Sequence, residues 1–403
     1  MIKAPSDRTS RRPVLAALFA AVVVATLLPA ARNGAAETFG IETMLPFFYG
    51  VTGIRADGGN NVVITGATGL PNLSQGLPAF IYEGPLADVT SVTTTSDPRL
   101  HLFTPIISGT SAFASAFYGP NTHRYNPSAI PEGSIRAVGT YLATGPADFQ
   151  KGMLYDGSLD GSGTWTSLQV PGADIGETIP HSTMGNLVVG NYNLVTSLSV
   201  GHPFVYDIVT HSYTLLDINS ALGGTIYGIW QNGGETSTSY TIIGGLAQTA
   251  SSTGQAFVAS YDSLSQNVSG LTLYNFNDNV AIDTHFEGIS AFAGGFSIAA
   301  TYVSGTSSGA YAFIPYSGEL GSYVYGAAIW KGITNTVNGN TTSGDTVIDD
   351  KVMGIYPVTG GVYSYITTVP EIDPASSRSA VALVLGALAC VERRLARRRG
   401  PAC

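Results

Sequence analysis

Two short phrases alternate along most of this chain, and their spacing limits what it can fold into. One is aromatic: "AFIYEG" (79–84), "GMLYDG" (152–157), "PFVYDI" (203–208), "AFVASYD" (256–262) and "AFIPYSG" (312–318). From Phe80 through Met153, Phe204 and Phe257 to Phe313 the intervals are 73, 51, 53 and 56 residues. The other is β-branched: "GNNVVITGA" (59–67), "IRAVGTYLA" (135–143), "GNLVVGNYN" (185–193), "TSYTIIGGLA" (238–247), "GFSIAATYV" (295–303) and "GGVYSYITTV" (360–369). Links such as "GIRADGG" (53–59), "GIWQNGG" (228–234), "GISAFAGG" (288–295) and "GIYPVTGG" (354–361) read as a strand, a turn and entry to the next strand. "TWTSLQV" (164–170), "YTLLDIN" (213–219) and "LTLYNFN" (271–277) supply one more strand per unit. Four short strands in each ~50 residues, bounded by Gly and Asn/Asp turns, is the period of a propeller blade.

The spacing therefore predicts an all-β, repeat-built β-propeller-like domain of five or six blades over 37–368. A β-sandwich or β-solenoid is the alternative. "IETMLPFFYGVTGIRADGG" (41–59) aligns without a gap to "LDINSALGGTIYGIWQNGG" (216–234), so the first unit starts mid-repeat. The last phrase stops before its Ala-Phe strand, which makes five full units and an incomplete one. A ring closed by strands from both ends needs such an offset. The long first interval is read as an insertion at about 91–130.

Charge is sparse and unevenly placed. Of 403 residues, 18 are Lys or Arg and 27 are Asp or Glu. Only seven of the basic residues but 25 of the acidic ones fall in 37–374, a net charge of −18 there. Such a body repels phosphate backbones and anionic membranes, which argues against nucleic-acid binding. Both cysteines, Cys390 and Cys403, lie in the tail, so the repeats hold no disulfide and no Cys-based zinc site.

Both ends read as addresses. Lys3 to Arg12 form a basic flank, Val14–Leu28 an apolar run, and small residues follow around "NGAA". This is the grammar of a signal peptide over 1–36, a helix cleaved after Ala36 or after Ala31. At the other end, 369–403 carries "VPEIDP" (369–374), the apolar run Ala380–Val391 and an Arg-rich close over 393–399. The run has 12 residues, short of the ~20 that cross a bilayer comfortably. Flanking arginines hold its end on the cytoplasmic side.

This tail resembles the PEP-CTERM sorting signal of bacterial exported proteins: a Val-Pro-Glu-Pro motif, a short transmembrane helix and an Arg-rich end. Val369, Pro370 and Glu371 match; Ile372 fills the fourth position and Asp373 and Pro374 follow, with Arg393, Arg394, Arg397, Arg398 and Arg399 closing the signal. The resemblance implies recognition by an integral-membrane exosortase, with transient or permanent membrane insertion of the tail and release or attachment at the cell surface or extracellular matrix. The repeats resemble the extracellular HAF repeat, in which a Gly-Ile/Val-x-x-x-Gly-x-Val-Val-Gly strand precedes an Ala-Phe-x-Tyr strand. No unit here has the His of that name, although His202 precedes Pro203 and Phe204.

No linear motif compels an enzyme. "GTSSG" (305–309) fits the nucleophile-elbow pattern around Ser307, but it sits in a Ser/Gly loop between strands and not at a strand-to-helix turn. "DGSLDG" (156–161) opens like a calcium loop, with Asp156, Ser158 and Asp160 as ligand candidates and a Gly-rich hairpin turn as the alternative. Ser167 stands where the loop needs Glu. Asp349 and Asp350 are adjacent, and neighbours on a strand point to opposite faces. Six scattered histidines show no metal-binding spacing. Within the insertion, Phe117, Tyr118, His123, Arg124 and Tyr125 are candidates for an aromatic platform for sugar rings, against the alternative that they pack the insertion onto the ring. The expected role is non-catalytic: a structural, adhesive or carbohydrate-binding protein of the cell surface or exopolysaccharide matrix. A propeller-type hydrolase or lyase acting on extracellular polysaccharide, and a propeller that binds a protein partner, are the other readings.

Overall fold

The computed structural model describes residues 37–41, 43–45, 50–68, 76–247, 254–276, 281–334, 341–358 and 361–370. Within them the strands form a six-bladed β-propeller. From its inner to its outer edge, blade 1 comprises Gly50–Gly58, Asn61–Ala67, Ala79–Pro85 and Leu100–Phe103. Blade 2 comprises Ala114–Thr122, Ser134–Leu142, Lys151–Ser158 and Thr164–Leu168; blade 3 comprises Ile175–Met184, Leu187–Leu194, Ser197–Asp207 and Ser212–Leu215. Blade 4 runs through Gly223–Gln231, Ser239–Ala247, Gln255–Asp262 and Asn267–Tyr274, and blade 5 through Asp283–Phe292, Gly295–Ser304, Thr306–Ser317 and Ile329–Thr334. Each inner strand contacts those of both neighbouring blades, and the sixth contacts the first.

Blade 6 is composite. Thr346–Ile348, Lys351–Val358 and Gly361–Thr368 form its first three strands, and Thr43–Leu45 pairs antiparallel with Gly361–Thr368 as the fourth. Glu37–Gly40 pairs parallel with Ile329–Thr334, so the N-terminal segment staples blade 5 as well as blade 6. Opening the ring at this seam means breaking a hydrogen-bonded sheet, not merely parting two packed faces.

The doubled β-branched residues of the sequence phrases follow from this geometry. Successive side chains on a strand point to opposite faces, and both faces of a blade are covered by neighbours. Val62 and Ile64 pack toward blade 6 with Leu45 and Met353, while Val63 packs toward blade 2 with Phe117 and Tyr155. Blade 4 repeats the division: Ile242 joins the blade 3 core and Ile243 the blade 5 core with Phe286 and Phe296. Continuous apolar runs replace the apolar/polar alternation of a half-exposed strand. Each such side chain contributes about 1.5–3 kcal/mol on burial. Outer strands face solvent and carry more polar residues; Ser212–Leu215 is only partly buried or exposed throughout.

Two sequence expectations are corrected. The stretch 91–130 is not an insertion, because Leu100–Phe103 is the outer strand of blade 1 and Ala114–Thr122 the inner strand of blade 2. The long first interval arises instead from the 3-10 turn Leu86–Ser91, the small hairpin of Ile106–Ile107 with Thr110–Ser111, and the loop 123–133. "GIYPVTGG" is, as read, a strand, a turn and entry to the next strand, and in blade 6 these are the second and third strands. "GGVYSYITTV" thus supplies the third strand expected to be missing, and the absent fourth comes from the N-terminal side. The segments 1–36, Glu371–Pro374 and 380–399 lie outside the described residues. Val369 and Pro370 do not: Val369 is buried, its N–H donates to the carbonyl of Asp350 (2.7 Å), and the carbonyl of Pro370 accepts from Lys331 Nζ (3.0 Å).

Leu45 is fully buried in the seam between blades 6 and 1. Leu45→Ala is expected to lower stability by about 2–5 kcal/mol, read as a fall in the urea midpoint. An unchanged midpoint would show that Thr43–Leu45 does not close the ring.

Candidate functional site

The inner strands carry the candidate chemistry because five of the six are irregular at the same place. Register shifts skip Thr52 between Val51 and Gly53, His181 between Pro180 and Ser182, Tyr227 between Ile226 and Gly228, and Glu287 between Phe286 and Gly288. In blade 2 the register skips Tyr118, between Phe117 and Gly119. A bulge leaves one residue unpaired and re-aims its side chain. Together with Asp345 of blade 6, these five residues line a cavity of about 160 Å³, so every blade contributes a polar side chain, and Ile355 of blade 6 adds an apolar one.

Crowding around the axis accounts for the small residues nearby. A Cβ on Gly53 would collide with the carbonyl oxygen of Tyr118, and one on Gly119 with that of His181. On the second strands, a Cβ on Gly139, Gly190 or Gly244 would strike the carbonyl oxygen of Ala116, Ile179 or Thr225, each two residues before a bulge. The chain can approach this closely only where no side chain intervenes.

The cavity is polar and divided. Glu287 Oε1 lies 2.8 Å from His285 Nε2. Burial opposes charge on His285, but Glu287, with Asp283 and Asp345, holds the imidazolium above its ordinary value. Burial, reinforced by the Glu287 carboxylate, raises Asp345 to about 8. His181 goes the other way: burial pulls it down to about 4, so it is neutral at pH 7. Its tautomer is fixed from a distance. Glu177 only accepts, so Asn193 Nδ2 donates to it (2.8 Å); Asn193 Oδ1 then accepts from Asn191 Nδ2 (2.7 Å). That leaves Asn191 Oδ1 to accept from His181 Nε2 (2.9 Å), and the proton sits on Nε2.

Three residues beyond its bulge, blade 1 sends Arg55 across the channel. Its guanidinium donates to the carbonyls of Ile289 (3.1 Å) and Ile229 (3.2 Å) on blades 5 and 4 and lies 5.5 Å from the centre of the Trp230 ring. Arg55 is buried without a carboxylate partner among the described residues, and burial pulls its pKa below the ordinary value. Above Trp230 stands Tyr125, edge-to-face at 5.4 Å.

Tyr125 belongs to the loop 123–133, which crosses the mouth of the channel on the face where inner strands turn into second strands. Asn126 Nδ2 donates to the carbonyl of Gly185 in blade 3 (3.0 Å), and Ser128 donates through N (3.2 Å) and Oγ (3.1 Å) to Glu235 in blade 4. His123 Nδ1 donates to the carbonyl of Ile130 (2.7 Å) and draws the loop ends together. A pocket of about 400 Å³ lies here, lined by Arg124, Tyr125, Met184, Trp230, Gln231 and Glu235. Arg124 also lines a larger cleft of about 600 Å³ between blades 6 and 1, beside Asn60, Asp349, Asp350 and Lys351. Burial raises Asp349, and Asp350 adds to the shift.

The structure separates the five residues expected to form one platform. Phe117 is fully buried in the core between blades 1 and 2, stacked on Trp165 at 5.9 Å, and cannot meet a ligand. Tyr118 lines the channel cavity, His123 braces the loop, and only Arg124 and Tyr125 reach the pocket. The calcium candidates are also turned to other partners. Asp156 Oδ2 pairs with Arg136 (2.7 Å), while Ser158 donates to Asp160, whose Oδ1 also accepts from Ser162 N (2.8 Å), as in a hairpin turn. Ser307 lies on the third strand of blade 5 and donates to the carbonyl of Thr342 (3.3 Å). Trp230, Glu287, Asp345 and His285 were not singled out in the sequence. The one available signal was the recurrence of apolar–X–Gly at 51–53, 117–119, 226–228 and 286–288.

No family model and no curated protein matches this chain. Among solved structures it is similar to an ancestral GH74 enzyme, with a TM-score of 0.37 and 12% identity over 78% of this chain and 42% of that one. A GH74 enzyme from Niastella koreensis gives 0.32 and 11% over 83% and 71%. The β-propeller domain of the Trilobed protease from Pyrococcus furiosus, described as having an open velcro topology, gives 0.28 and 11% over 59% and 66%. The chain thus spans about 42% of the length of the first of these. Similarity this distant says nothing about what the chain does.

The raised Asp345 has a measurable consequence. Its folded value is about 8 against an ordinary 3.8, so the folded state holds the proton more tightly. That stability is complete below about pH 4 and is lost as the pH rises to about 8. Asp345→Asn is expected to flatten the fall in melting temperature between about pH 5 and 8. An identical calorimetric profile for the variant would contradict the assignment.

Proposed function

We propose that this propeller is an exported, non-catalytic glycan-binding protein, with a sugar ring seated at the channel mouth on Tyr125 and Trp230. The observation that carries this reading is the edge-to-face pair over a pocket of about 400 Å³ flanked by Arg124, Gln231 and Glu235. An aromatic face takes the C–H side of a sugar ring, and planar polar side chains at the rim bond its hydroxyls. Both rings are only partly buried, and Trp230 is backed by Arg55, so the platform is held in place before any ligand arrives. Arg124 joins this pocket to the larger cleft, which suits a polymer over a single sugar. The net charge of −18 over 37–374 disfavours polyanionic chains and favours neutral ones.

Export and sorting complete the reading. The basic–apolar–small pattern of 1–36 directs the chain out of the cytoplasm, and 369–399 directs it through an exosortase to the cell surface or its matrix. Val369 and Pro370 are tied into the propeller, which supports processing after Pro370 over processing before it. Expressed with an exosortase system, the extracellular product is expected to lack 1–36 and to end no earlier than Pro370. Intact-mass spectrometry decides; retention of the arginine cluster would instead mean a permanent anchor.

Binding is tested by affinity electrophoresis of the secreted protein in neutral polysaccharides. Tyr125→Ala is expected to weaken retention about tenfold, equivalent to about 1.4 kcal/mol, without changing the melting temperature much. Equal retention of the variant would remove the platform, and release of reducing ends would turn the reading toward a hydrolase.

A further inference from the structure

The cavity at the other end of the channel has two unlike walls. Tyr118, His181 and Tyr227, from blades 2, 3 and 4, stand in a row, with ring centres 5.3 Å and 4.6 Å apart. Glu287 and Asp345, from blades 5 and 6, supply the carboxyl wall, and Thr52 completes the circle. The volume of about 160 Å³ is on the scale that admits a ligand of about six heavy atoms. We infer that this cavity is a binding site for a small monovalent organic ammonium ion, its charge set against Glu287 and Asp345 and its alkyl groups against Tyr118 and Tyr227.

The walls exclude the other ligand classes. Carboxyl groups repel an anion. A bare metal ion finds no cluster of three or more acidic, His or Cys ligands among the described residues, and the aromatic side offers it little. An alkylammonium uses both walls, since ring faces attract cations and carboxylates neutralise them. The charges fit one positive unit. With Asp345 ionised and His285 protonated, the carboxylates Glu287 and Asp345 that line the cavity outnumber His285 by one. The five register shifts supply both walls, since each turns a polar or aromatic side chain into the channel.

Binding is then linked to protons. Asp345 faces Glu287, His285, Ser343 and Tyr365, while Glu287 faces His285, His181 and Tyr227. Burial keeps Tyr118, Tyr227 and Tyr365 protonated and His181 neutral, so Asp345 and His285 alone titrate in the working range. A bound cation favours ionised Asp345, and loss of the His285 proton acts in the same direction. Affinity therefore rises with pH.

The test is calorimetric titration of the purified protein with tetramethylammonium, which is charged at every pH, against its uncharged analogue tert-butanol. One saturable site per chain is expected, at least about fivefold tighter at pH 8.5 than at pH 6, with no comparable binding of tert-butanol. Asp345→Asn is expected to weaken binding about tenfold at pH 8.5 and to shrink the pH dependence to the part that His285 contributes, while Tyr125→Ala, at the opposite end of the channel, leaves both intact. Equal binding of tert-butanol, a flat pH profile or an unaffected Asp345→Asn variant would each overturn the inference. Should Asp345→Asn not fold, the comparison of the two ligands and the pH profile of the unaltered protein decide it alone.

Discussion

Six inner strands converge on one axis, and the rest of the molecule adjusts to that crowding. Backbone carbonyls of the inner strands occupy the space where second-strand side chains would stand, so glycine is required at Gly139, Gly190 and Gly244. Relief comes from a bulge in five blades, which turns Thr52, Tyr118, His181, Tyr227 and Glu287 toward the axis. A packing constraint thereby becomes a polar cavity. Farther from the axis the blades diverge, and larger residues such as Phe80, Phe204 and Phe257 fill the widening gaps.

The channel is closed part-way along by Arg55, whose guanidinium spans from blade 1 to carbonyls of blades 4 and 5. A buried cation bonded only to carbonyls is costly unless its surroundings are rigid, and here Trp230 supports it from one side. The plug separates two environments. At one end are carboxyl and imidazole groups with displaced proton affinities; at the other, aromatic rings under a loop anchored to blades 3 and 4. Each end therefore presents its own chemistry on a shared scaffold.

The fold was largely legible in the residues. Doubled β-branched pairs such as Val62–Val63 and Ile242–Ile243 recur because both faces of each blade are buried, and their spacing gave the blade period. The gapless match of 41–59 to 216–234 placed Thr52 opposite Tyr227, which is their true equivalence as bulge residues. The stretch 91–130 was misread because a long interval looks the same whether it holds an insertion or extended connections between ordinary strands. The sites were less legible. Phe117, Tyr118 and Tyr125 lie within nine residues of one another, yet one is core, one lines the channel and one caps its mouth.

The sequence by itself determined the strand periodicity, the propeller class, the offset that lets both ends share a blade, and the acidity of the body. These are local or compositional properties, written in the order of residues. Only the tertiary structure decided which side chains meet. Glu287 and Asp345 are 58 positions apart and Tyr125 and Trp230 more than a hundred, so no local pattern pairs them. Ring closure does, because it brings equivalent positions of successive blades to one axis, and a single skipped residue decides whether a side chain faces the core or the channel.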